Sequence, residues 1–427
     1  MKAKRLFLFL AMPIILALAS CDNGTTSGDY NVPGSTLTEK LEWLRINAES
    51  DGNYVLDVSA DEIISPGQRL EYTGKNNITI TLRGSGTNRI INLSSNGNMF
   101  QVRTGVTLVL DNIILRGRGF NSNSLVYVRS GGALLMNNGA AIIGNTTEEN
   151  SGGGVWVEGT FTMNGGTISG NSAKIDGGGV AVSGGSFTMN GGTISDNNAN
   201  NGGGVAVFGK GAFVMSGGIL SGNISRTSGG GVAVLYGTFT MSGGTLSGNI
   251  AERDGGGVAA TNARSTAGSV LGIGNFIMNG GTISGNNARN GGGGVGVSNE
   301  GTFVMNNGSI TGNSGTNGGG VSVALNTTFT MSGGTISGNT AKINGGGTFV
   351  EGIFTKTGGT ITGYNSDRRI GNVVSNSRGI AEKESGHAVY AYYSGSRVTK
   401  RKESTAGSDT NLSYAGRTGS FSGEWDY

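Results

Sequence analysis

Few residues of this 427-residue chain could carry acid–base or covalent chemistry. There is one histidine, His387, and one cysteine, Cys21. Between Gly152 and Gly363 the only aspartates are Asp176, Asp196 and Asp254. Cleaving a glycosidic bond by hydrolysis needs paired carboxyl groups about 5–10 Å apart. Asp176 and Asp254 hold the same place in a repeated block, three blocks apart, which is roughly 14 Å at the spacing of paired strands. Asn201, Ser228, Asn317 and Asn344 fill that place elsewhere, so a polar turn residue accounts for it. No Ser-His-Asp set or metal cluster assembles around His387. The glycine runs lack both the Lys-Ser/Thr of a phosphate loop and the periodic Asp of calcium-binding nonapeptides. The chain reads as non-catalytic, with no catalytic residue, metal or cofactor.

What would position any site is the repeat itself. A block of 26 or so residues, typified by GGGVWVEGTFTMNGGTISGNSAKID, recurs eight times between Gly152 and Gly363. A unit this short cannot bury a core alone and must stack on its neighbours. Val155 and Val157 flank Trp156, and Phe161 and Met163 flank Thr162; period two marks a strand with one buried face. Thr167-Ile168-Ser169 makes a third short piece, with Gly or Asn-Gly breaks between the pieces. Three short strands and three turns per unit, repeated in register, describe a right-handed parallel β-helix, all-β, with about 4.8 Å per coil. Eight such coils plus four looser ones upstream give a rod on the order of 55 Å long.

Most of the repeated rows are structural. The valine, Phe161-to-Phe354, Met163-to-Met331 and Ile168-to-Ile361 rows share inward faces, so the methionines belong to the core rather than to a Met-rich binding surface. The Asn171-to-Asn339 row suits turns in which stacked amides bond from coil to coil. Function is left to the exceptions. The residue between the paired valines points outward and reads Trp156, Ala181, Ala206, Ala233, Ala259, Gly296, Ser322 and Phe349. This stripe of small residues with an aromatic at each end is the candidate surface for an extended glycan or a host or matrix protein. A second outward face bears Thr160/Thr162, Ser186/Thr188, Thr238/Thr240 and Thr328/Thr330; Thr is a good strand residue, and Ala212/Val214 and Ile353/Thr355 interrupt the array. An insertion, Thr261–Ile273, is expected to project as a loop.

The ends address the chain. Lys2, Lys4 and Arg5 precede the apolar stretch Leu6–Leu18, too short for an ordinary membrane span. Residues 1–20 thus read as an export signal, 21–35 as a polar tether, and 36–52 as a capping helix with Thr36 and Glu39 in a capping box and Leu37, Leu41, Leu44 and Ala48 on one face. Residues 53–151 form irregular coils, 152–363 the regular repeats and 364–427 a C-terminal cap or tail, in which His387–Tyr392 is a last strand and Lys400-Arg401-Lys402 a solvated turn. The formal charge is +3, and the signal holds three of the basic residues and no acidic one, leaving the exported chain close to neutral. No electrostatic footprint for nucleic acid is present.

Leu18-Ala19-Ser20-Cys21 resembles the lipobox of bacterial lipoproteins, which implies a lipid-modified Cys21 and attachment to a membrane. The GGGV runs and the tetrads Phe161-Asn164, Phe187-Asn190, Phe276-Asn279 and Phe303-Asn306 resemble repeats of chlamydial polymorphic outer membrane proteins, with Ser216, Ser242 and Ser332 departing from the pattern. Together with the lipobox and helix, the FTMNGGTISGN repeats resemble repetitive surface lipoproteins of spirochaetes such as treponemes. The resemblance spans nearly the whole chain. It implies a pectin-lyase-like β-helix at the outer membrane or cell surface, serving adhesion or molecular interaction; the alternative is a carbohydrate-active enzyme (polysaccharide lyase or hydrolase) or carbohydrate-binding module on the same fold.

Overall fold

The computed structural model describes residues 29–391, apart from 87, 265–269, 364–368, 377 and 382–386, and beyond them the short strands at 400–402, 412–415 and 422–423. Each regular coil contributes four strands, as in Val155–Val157, Thr160–Met163, Thr167–Ser169 and Ser172–Ala173. Each strand pairs in parallel with its counterpart one coil on, building four sheets, termed for their inward residues the Val, Phe/Met, Ile and Ala sheets. The fourth strand goes beyond the three that alternation indicates. In most coils it is two residues long with one small inward side chain (Ala173, Ala199, Ala251), so there is little alternation to read; Ser314–Asn317 and Thr340–Asn344 are longer. The Ile sheet has twelve strands, one per coil, matching eight regular and four looser coils. The Ala sheet begins only at Thr146, so the first coils lack that side.

Like residues meet like residues at every step. Phe161 through Phe354 form a continuous stack with ring centroids 4.6–5.0 Å apart, and all are fully buried. Stacked aromatic pairs add roughly 0.5–1.5 kcal/mol each beyond their area burial. Met163 pairs with Met189 and Ile168 with Ile194, and these rows are also inside. The methionine row ends at Lys356, which is fully buried opposite Met331.

The asparagine row is a buried hydrogen-bonded spine. Asn223 Nδ2 donates to Asn249 Oδ1 at 2.9 Å and to the Ile194 carbonyl at 2.9 Å. Its Oδ1 accepts from the backbone N–H and the side-chain amide of Asn197. The row runs further than the repeat predicts, through Asn121 and Asn145 at one end and Asn372 at the other. Glycine serves a different need. Gly202 has φ +62°, and a Cβ there would lie 2.2 Å from Val205 O, because the glycine run folds back against its own strand.

The helix is Leu37–Asn47 with both halves of the capping box at Thr36 and Glu39. Leu37, Leu41, Leu44 and Ala48 are buried in one cluster with Leu56, Val58 and Ile64 of the first coil. The insertion is a hairpin rather than a loop in its described parts: Asn262–Arg264 pairs antiparallel with the start of Val270–Met278, which continues into the Phe/Met sheet. Val389–Ala391 extends the Val sheet, and Lys400–Lys402 pairs antiparallel with it, a strand where a turn was expected.

Replacing Asn223 with Ala should cost about 3 kcal/mol or more, because buried donors and acceptors on both neighbouring coils lose partners. Asn164→Ala, at an exposed amide, should stay within about 1 kcal/mol. Gly202→Ala should destabilise strongly through both φ and steric conflict. Denaturant unfolding midpoints of the three variants check the order.

Candidate functional site

The outward stripe expected to bind a ligand is mostly out of solvent. Ala181, Ala206, Ala233 and Ala259 are at most 1 % exposed, and Ser322 and Phe349 are also buried. The reason is the glycine run: a Cβ at Gly177 would fall 2.9 Å from Ala181 Cα, and one at Gly296 would meet Asp254 Cβ at 2.9 Å. The turn ahead of each strand thus lies on that strand's outer face. Phe349 stacks on Tyr390 of the adjoining strand, centroids 5.9 Å apart. Period-two alternation told inward from outward; it carried no information about a turn folding over the outward side. Trp156 alone of this stripe remains half-exposed.

Trp156 belongs to a different surface: its own coil carries the first glycine run, Gly152–Gly154, but its upstream neighbour in the sheet, the Tyr127 coil, has none. Its column continues upstream as Tyr127, Gln101 and Arg69, one residue per coil. On one side of this ridge is a cleft of about 170 Å³ lined by Asn98, Asn123, Ser124 and Asn150. On the other is a cleft of about 180 Å³ lined by Glu71, Arg103, Arg129 and Glu158. The ridge is aromatic: Trp156 meets Tyr127 edge-on at 6.2 Å and Phe208 at 5.8 Å. The Arg129 guanidinium sits 4.2 Å from the Tyr127 ring centroid. The Tyr127 hydroxyl donates to Glu158 Oε1 at 2.6 Å. Burial first, and that bond second, push its pKa up to about 12.

Four polar atoms of this ridge and its flanks are shielded from solvent without a hydrogen-bond partner: Gln101 Oε1, Arg103 Nε, Arg129 Nε and Trp156 Nε1. Arg103 is close to Glu71, at 3.4 Å, but not in hydrogen-bonding geometry. Unsatisfied buried polar groups are costly, about 1–3 kcal/mol each, and few in a native fold. Their concentration beside two clefts and an aromatic ridge suits a ligand rich in hydroxyl groups. Sequence reasoning found Trp156 but missed the rest. Tyr127, Gln101, Arg103 and Arg129 lie in coils of irregular spacing, and only strand register brings them together.

Glu71 and Glu158 are separated by three coils, roughly 14 Å, wider than a glycosidase carboxyl pair needs. His387 is buried, and its Nδ1 accepts from the Val374 N–H at 3.0 Å. Among the described residues no three His, Cys, Asp or Glu side chains are grouped to hold a metal ion. Cys21 lies outside the described residues. No known protein family, curated protein or solved structure matches the chain.

Asp176 and Asp254 sit in the turn that covers the Val sheet, and burial raises both carboxyl pKa values. Asp176 also accepts from Asn201 Nδ2 at 2.9 Å, which partly opposes the rise. A folded-state pKa above the unfolded one means stability that is fully present below the unfolded carboxyl pKa, about 4, and lost as pH rises through the folded value. Asp176→Asn and Asp254→Asn, which install the residue other coils use, should therefore raise the melting temperature at pH 7 and lose that advantage toward pH 4. Thermal melts across this range are the check.

Proposed function

We propose that the protein is a lipid-anchored component of a bacterial cell envelope, held through Cys21, and that its β-helical rod is a non-catalytic scaffold for adhesion. The Tyr127–Trp156 ridge with its two clefts is the binding site, and a glycan is its ligand. The observation that supports this most is the set of unpartnered polar atoms on and beside the aromatic ridge. Aromatic rings present apolar faces to a sugar ring, while amides, guanidinium groups and carboxylates meet its hydroxyls. A host or matrix protein would reach the same groove through its attached sugars. The lipobox-like Leu18-Ala19-Ser20-Cys21 and the resemblance to spirochaetal surface lipoproteins support the address.

Wild-type cells should incorporate labelled palmitate into the protein, and Cys21→Ser should abolish it. On a glycan array, Tyr127→Ala and Trp156→Ala should each weaken binding by about tenfold, some 1.4 kcal/mol, while Phe349→Ala, at the covered end, leaves it unchanged. Equal binding by all three variants and the wild type would sink the groove as the site. Release of new reducing or unsaturated sugar ends would replace the scaffold reading with the enzyme.

A further inference from the structure

The Ala sheet and the turn that follows it combine two kinds of side chain that water alone does not favour together. Lys174, Arg226, Arg253 and Arg289 in that turn, and Lys342 within the longer strand Thr340–Asn344, are all exposed. They recur along seven coils, a length of roughly 30 Å at the strand spacing. Of the exposed carboxylates on this face, Glu252 is engaged with Arg289 at 3.3 Å, and Glu148 and Glu149 lie at its first coil beside Lys174. Asp176 and Asp254 are half-buried against the Val sheet, where burial raises their pKa. Set among the cations are four isoleucines, Ile175, Ile224, Ile250 and Ile343, each 42–54 % exposed. Ile224 and Ile250 are direct neighbours on the outer face of the sheet. Exposed isoleucines gain nothing from a soluble polyanion, whereas cations gain nothing from a purely apolar partner. A lipid surface with anionic headgroups satisfies both, since basic residues meet the headgroups and apolar side chains enter the interface.

We propose that this face lies on an anionic membrane surface, so that the rod rests along the membrane with the Ala sheet down. The inference rests on the lipid-anchor reading only for bringing the rod to the membrane; the face is argued from its own residues. A single lipid attachment fixes one end, and a second, electrostatic contact fixes orientation.

The test reconstitutes the full-length lipid-bearing protein into vesicles and measures acetylation of individual lysines by mass spectrometry. Flotation with neutral phosphatidylcholine vesicles reports the anchor alone. In vesicles containing phosphatidylglycerol, Lys174 and Lys342 should react about fivefold more slowly than in detergent. Lys210, exposed in the turn between the Val and Phe/Met strands, should be unaffected. The protection should fade at high salt and weaken in an Ile224→Ser/Ile250→Ser variant, whose changes are at exposed positions. Equal reactivity of the three lysines in anionic vesicles would overturn the proposal even where flotation succeeds. So would protection as strong in neutral vesicles, or protection by dextran sulfate but not by vesicles.

Discussion

The whole rod depends on one constraint: each coil must advance by one strand spacing while returning every residue to the same place in cross-section. The asparagine spine enforces this. From Asn197 to Asn313 each side-chain amide gives two hydrogen bonds and accepts two, joining its coil to both neighbours and to a strand carbonyl. Such a network tolerates no shift of register, because a slip would leave several buried groups unpaired at once. The phenylalanine stack works with the same spacing, as rings 4.6–5.0 Å apart need identical residues above and below.

That constraint also explains where the molecule is featureless and where it is not. In the regular coils the glycine run presses its backbone against the Val strand and hides the outward alanines. Repetition there uses every position for packing. Upstream, the coils lack both the glycine runs and, at first, the Ala sheet. The outer face of the Val sheet is uncovered there, so Tyr127 has room to stand on it, and Trp156, at the first coil to carry a run, meets it edge-on across that boundary. The potential binding groove is thus a consequence of irregular coils rather than of the repeat.

A similar division separates the two long faces. The groove combines unpartnered polar atoms and aromatic rings on a ridge only a few coils long. The cationic, isoleucine-bearing corner is spread thinly along many coils, with one or two such residues in most of them. The first is suited to recognising a compact chemical group; the second is suited to an extended surface.

By itself, the sequence determined the class of fold, the inward rows, the capping box at Thr36 and Glu39 and the approximate number of coils. These follow from local periodicity and from stacking like on like, both of which leave a direct trace in residue order. The tertiary structure decided which outward residues reach solvent. Ala181 and Trp156 occupy equivalent positions, each after a glycine run, yet Ala181 is buried between coils that both carry the run while Trp156 borders one that does not. It also decided the company Trp156 keeps, since Tyr127, Gln101 and Arg103 come from coils whose irregular lengths conceal their register. The fourth strand and the hairpin at Asn262–Ile273 were settled in the same way, by pairing between segments too short or too irregular to announce themselves.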